Sequence, residues 1–245
     1  MTQFTPIFIP GLLCTSDLFA AQLAHLGMLH KASEVVDMTH DDSIADMAER
    51  ALSMSDGMLV PVGLSMGGYV AMEMARRAHY RIAGLALLNT TCRIDSAAHR
   101  KQREQAITMA QSDRFKGVTR HLLPRLLSPD AVNDPLIADR VLKMAEDIGR
   151  QTFIRQQTAI LGRQDQTEML QAFHKPMLIL CGTLDVLTPP KLSDEMAALC
   201  PHADYRLLDG IGHLSSMEAE SAVIDALQAL FDKVDAAGWQ FPDYS

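Results

Sequence analysis

The chain has 245 residues, 48% of them hydrophobic and 21% charged, with a formal net charge of −8. That length suits one sizeable α/β domain rather than two full ones, and the acidic balance argues against a nucleic-acid binder, which would carry a basic face. No apolar run is long enough to span a membrane. Residues 1–6 lack the basic segment and apolar core of a secretory signal. The four cysteines, Cys14, Cys92, Cys181 and Cys200, show neither metal-knuckle nor redox spacing. The expectation is a cytoplasmic protein in a reducing compartment.

In chain order, an apolar strand over 6–9 ends at the turn signal Pro10-Gly11. A helix is predicted over 16–27, with Ser16 or Asp17 as N-cap, then a short strand over 34–37. Residues 43–54 read as a helix with Ile44, Met47, Ala48, Ala51 and Leu52 on one side. A strand over 58–62 runs into Gly63-Leu64-Ser65-Met66-Gly67, and helical spacing follows over 69–78. A buried strand is predicted over 82–88. Residues 95–175 break this rhythm. They are rich in Arg, Gln, Leu and Met at helical spacing, with breaks at Pro124, Pro129, Pro135, Gly149 and Gly162, and contain no convincing buried strand. The rhythm resumes with strands over 176–181 and 204–208 and helices over 191–199 and 216–234. The tail, 238–245, has no periodicity. Alternating strands and helices predict a mostly parallel sheet with helices on both faces, an α/β class. Residues 1–94 and 176–245 would form its core, and 95–175 a helical cap.

The pentapeptide around Ser65 is the leading chemical signal. Strand, sharp turn and helix, with small residues two before and two after a serine, describe a nucleophile elbow. A serine hydroxyl needs a base, most often histidine, and the histidine needs an acid to hold its tautomer. Asp185 follows the strand over 176–181, at the end of the sheet where open α/β folds place their sites. His213 lies between Gly212 and the final helix, after the last strand. The order Ser65, Asp185, His213 fits the elbow motif. Asp209 and Asp95 are rival acids, and His121 is a histidine that could touch substrate. Two backbone donors complete the set: the N–H of Met66, after the serine, and that of Leu12, in the loop after the first strand.

Together, Ile9-Pro10-Gly11-Leu12, Gly63-Leu64-Ser65-Met66-Gly67-Gly68, Gly182-Thr183-Leu184-Asp185 and Gly212-His213 resemble the α/β-hydrolase family, in its compact form with a helical cap. Two departures stand out. Many relatives have His-Gly where this chain has Pro10-Gly11, and a histidine where it has Leu64. The sequence starts almost at the strand before the Pro10-Gly11 loop, so the expectation is that the two leading strands of many relatives are missing and that the sheet has about six strands. The resemblance also implies a serine hydrolase acting on a carboxylic ester or similar small acyl substrate through an acyl-enzyme, with no metal or organic cofactor. An alternative is a lyase, carbon–carbon hydrolase or synthase on an anionic substrate. The cap cations Arg100, Arg103, Arg114, Lys116, Arg120 and Arg125 would serve that chemistry if they point inward. A third reading is a non-catalytic ligand-binding member.

Overall fold

The computed structural model describes residues 4–27, 33–112 and 117–238. Lys116, Arg114, His30 and most of the aperiodic tail lie outside them. Six strands form one parallel sheet in the order β2-β1-β3-β4-β5-β6. They are β1 (Phe4–Ile9), β2 (Glu34–Val35), β3 (Met58–Leu64), β4 (Leu85–Leu88), β5 (Met177–Gly182) and β6 (Asp204–Leu208). Every residue of β3, β4 and β5 is buried, as near-continuous apolar runs covered on both faces should be.

The helices named in chain order are α1 (Ala20–Leu26), α2 (Ile44–Leu52), α3 (Met66–Arg77), α4 (Ala97–Gln111), α5 (Pro129–Val132), α6 (Pro135–Leu161), α7 (Thr167–Ala172), α8 (Pro190–Leu199), α9 (Ser215–Glu218) and α10 (Glu220–Ala237). One face of the sheet packs on α2, α3 and α8 through residues such as Met47, Val70 and Met196. The other packs on α1 and α10 through Leu26, Leu227 and Phe231. The amphipathic helix read at 43–54 is α2, with the five apolar residues named above buried and Ser43 capping it through the Asp46 N–H.

Between β4 and β5 the described residues contain helices α4 to α7 and a 3-10 turn, Arg120–Arg125, but no strand. Gly149, with φ 72° and ψ 176°, interrupts α6, in a region of backbone space that is essentially glycine-only.

Several boundaries differ from the sequence reading. The chain enters the first helical region through a 3-10 turn, Ser16–Phe19, which moves the cap back to Thr15, whose side chain accepts from Asp17 N–H. Helix α3 begins at Met66 rather than Tyr69, because the elbow leads straight into it. The strand expected over 82–88 pairs regularly only from Leu85. Ile82 makes a single bridge to Leu59, and Gly84 sits between, pressed under α10 so that a Cβ there would lie 2.6 Å from Val234 Cγ2. The last helix is split at Ala219, with Ser215 and Ser216 bonded to other parts of the fold.

Candidate active site

Ser65 follows β3 at φ 56° and ψ −114° and immediately precedes the first turn of α3. The local sequence makes this conformation accessible. A Cβ on Gly63 would lie 2.2 Å from the Gly67 carbonyl oxygen, and one on Gly67 would lie 1.8 Å from the Ile9 carbonyl oxygen. Only hydrogen fits at either position. The elbow is anchored by Ser65 N–H to Leu88 C=O at 3.0 Å and by the Thr90 hydroxyl to Ser65 C=O at 2.8 Å. Three non-glycine residues have positive φ among the described residues: Leu13, Ser65 and Asn89. They follow the carboxyl ends of β1, β3 and β4. Such backbone strain concentrates at functional sites.

The structure brings Asp185 and His213 together and leaves Asp95 and Asp209 elsewhere. Asp185 Oδ2 lies 2.8 Å from His213 Nδ1, and both side chains are buried. With Nδ1–H donating to the carboxylate, Nε2 is left as the basic nitrogen. Asp185 Oδ1 accepts from Leu187 N–H and Thr188 N–H at 2.9 Å each, and Oδ2 also accepts from the Thr188 hydroxyl at 2.7 Å and Asn89 Nδ2 at 2.9 Å. Burial alone would push this carboxyl up. The facing His213 and the donors from Asn89 and Thr188 outweigh burial and hold it below the ordinary aspartate value.

Asp95 instead accepts from Arg103 Nε at 2.7 Å and Arg163 Nη2 at 2.8 Å. Burial raises its carboxyl, but the two guanidiniums prevail and hold it low. Arg163 also stacks over the Tyr69 ring at 4.4 Å, which makes the cluster a buried structural tie. Asp209 is exposed and accepts from the Thr183 hydroxyl at 3.3 Å.

His213 is held by a part of the chain that sequence reasoning did not connect to it. His213 N–H and Leu214 N–H both donate to Leu126 C=O, at 3.0 and 3.2 Å. Glu218 Oε2 accepts from Ser128 N–H at 2.8 Å and Gly212 N–H at 3.2 Å. Asn89 was missed as well. Its amide donates to Asp185 and to Gly212 C=O (3.2 Å), and its oxygen accepts from the Ser215 hydroxyl at 2.5 Å. A polar side chain at the end of a buried strand was the only signal that could have pointed to it.

The loop after β1 lies against the elbow: a Cβ on Gly11 would sit 3.5 Å from Ser65 Cβ. Among the described residues, no acceptor is bonded to Leu12 N–H or Met66 N–H, whereas the neighbouring Leu13 N–H is taken by Gln156. Cys14 is adjacent, but burial pushes its thiol up to about 12, so it remains a neutral thiol and no rival nucleophile. All four cysteines are free and buried. Of the cations singled out between β4 and β5, three of those described are engaged: Arg100 with Glu104, Arg103 with Asp95 and Arg120 with Asp139. His121 is exposed.

A parallel sheet of this order, with a strained serine at a strand-to-helix elbow and an Asp–His pair beyond later strands, defines an α/β-hydrolase. The model of the family described as serine aminopeptidase, S33, matches residues 32–220. The chain therefore belongs to that family of α/β-hydrolases. It is 24% identical over 213 residues to the pimeloyl-[acyl-carrier protein] methyl ester esterase of Vibrio cholerae, covering 84% of this chain and 82% of that one. It is 28% identical over 211 residues to the putative non-heme bromoperoxidase BpoC of Mycobacterium tuberculosis, covering 81% and 77%. The structure of a thermophilic esterase from Thermogutta terrifontis superposes with a TM-score of 0.85 at 24% identity, covering 95% of this chain and 91% of that one. Among the described residues no helix is long and apolar enough to cross a membrane.

Proposed function

We propose that the protein hydrolyses carboxylic esters of small acyl compounds through a covalent acyl-enzyme on Ser65. The observation that carries this reading is the buried 2.8 Å contact between Asp185 and His213, at the same end of the sheet as the strained serine. Ser65 Oγ attacks the ester carbonyl carbon while His213 Nε2 takes its proton. Asp185 fixes the Nδ1–H tautomer and stabilises the imidazolium that forms. The tetrahedral oxyanion is held by Leu12 N–H and Met66 N–H. Both belong to backbone that is already fixed, so little reorganisation is needed as the charge develops. Collapse expels the alcohol, which takes the proton from His213. Water, activated by the same histidine, then attacks the acyl carbon, releasing the acid and regenerating Ser65. The helices between β4 and β5 act as a cap over this end of the sheet, and their Leu126 carbonyl and Ser128 N–H support the His213 loop directly or through Glu218.

The names of the similar esterases favour ester over amide cleavage, although the same groups are competent for either. A screen of p-nitrophenyl and alkyl esters graded in acyl length and charge, run alongside an aminoacyl p-nitroanilide, tests the reading. Turnover of an ester that disappears in Ser65→Ala while the fold is retained is the expected result. Turnover that survives Ser65→Ala would sink the mechanism.

A further inference from the structure

Gln156, on α6, is fully buried, and its amide bridges two backbone groups from different loops. Oε1 accepts from Leu13 N–H at 3.0 Å, and Nε2 donates to Met38 C=O at 3.0 Å. Leu13 is the third residue of a four-residue turn closed by Cys14 N–H to Gly11 C=O at 3.1 Å. Its φ is 60°, while Leu12 is not among the positive-φ residues. That combination is a type II turn, whose third position ordinarily takes glycine or asparagine. A leucine there is strained. The type I alternative suits leucine, and reaching it requires the Leu12–Leu13 peptide to flip. The flip would turn Leu13 N–H away from Gln156 and aim the Leu12 carbonyl oxygen at it, acceptor against acceptor.

We propose that Gln156 is a positioning residue for the oxyanion turn: by holding the Leu12–Leu13 peptide in the strained type II conformer it ties the turn to α6, and the loss of that tie would let the strained turn relax and shift Leu12, whose N–H lies in the preceding peptide, away from the developing oxyanion. This role rests on the reading of Leu12 N–H as an oxyanion donor. It also makes catalytic competence depend on α6 being seated on the sheet, since the same side chain joins that helix to the loops after β1 and β2. Gln156 touches no reacting atom. It acts on catalysis only through the turn.

The test compares Gln156→Met, which keeps length and packing without the amide, with Gln156→Glu, which keeps an acceptor for Leu13 N–H. Both are measured on the intact chain with an ester substrate, with kcat expressed per active site titrated by a fluorophosphonate. Gln156→Met should lose about 100-fold in kcat, the scale of one misplaced catalytic donor, with KM within about threefold. Its affinity for a boronic acid, which mimics the tetrahedral state, should fall in parallel, while its affinity for the product carboxylate should hold. Gln156→Glu should recover much of the loss. If Gln156→Met fails to fold, Gln156→Asn, too short to bridge both groups, replaces it with the same expectation. A kcat per titrated site within twofold of wild type in either amide-breaking variant overturns the proposal, as does equal weakening of boronate and carboxylate. Absence of ester turnover in the wild type would overturn the esterase reading, and this role with it.

Discussion

Gly67→Ala is the sharpest structural test of the elbow. The added methyl would sit 1.8 Å from the Ile9 carbonyl oxygen, 2.7 Å from its carbon and 3.0 Å from the Pro10 carbonyl oxygen. Ordinary non-bonded contact is about 3.5 Å, so the start of α3 and the end of β1 would have to part by roughly 1.5 Å. All three obstructing atoms are backbone, so no side-chain rotation relieves the clash. Overpacking of this kind destabilises by about 3 kcal/mol, which for a chain of this size lowers Tm by roughly 6–12 °C. The displaced strand end leads directly into Leu12, so the proposed oxyanion donor moves away from Ser65, and kcat should fall at least about 100-fold. Gly238→Ala is the control. It has φ 63° at the end of α10, and among the described residues no atom lies within 4 Å of an added Cβ. It should lose about 1 kcal/mol from backbone strain and leave kcat alone. Thermal unfolding and ester hydrolysis read both effects. Wild-type turnover and wild-type Tm in Gly67→Ala would refute the close-approach argument.

Three further outcomes follow from the site. Asp185→Asn should lower kcat about 10,000-fold by favouring the wrong His213 tautomer, whereas Asp209→Asn should leave it near wild type; steady-state kinetics separate them. Asp95→Asn should destabilise the protein by about 3 kcal/mol at neutral pH, because the buried Arg163 loses its carboxylate partner. The sign of its pH dependence is fixed: Asp95 is held below its ordinary value when folded, so its contribution is present above that value and fades as pH falls through the folded one. Denaturation curves from pH 7 down to about 2 should therefore be flatter in acid for Asp95→Asn than for wild type. Asn89→Leu should lose both Tm and kcat, since Asp185, Gly212 and Ser215 all lose a partner. An unchanged kcat would show that Asp185 is held without it.

Much of the fold could be read from local pattern. The strand β3 is an unbroken buried run, and α2 carries its apolar residues at helical spacing, so both announce themselves in a window of ten residues. The elbow could be read because close backbone approach leaves glycine at 63 and 67 as the only residues that fit. The pairing of Asp185 with His213 could be guessed from chain order, since each follows a strand of one parallel sheet. The supporting residues were not legible. Asn89, Gln156 and Glu218 look like ordinary polar positions, and their partners lie far away along the chain: Asp185 for Asn89, Leu13 for Gln156 and Ser128 for Glu218. No local periodicity encodes such contacts. The boundaries at Ala219 and Gly84 were missed for a related reason: each depends on what a distant element presses against it.

Covalent modification of Ser65 is the most direct test of the proposed mechanism. Incubating the full chain with a fluorophosphonate and mapping the adduct by mass spectrometry should give one phosphonylated residue, Ser65, with labelling abolished in Ser65→Ala and strongly slowed in His213→Ala. An adduct confined to another residue, or an unlabelled chain that still hydrolyses esters, would contradict it.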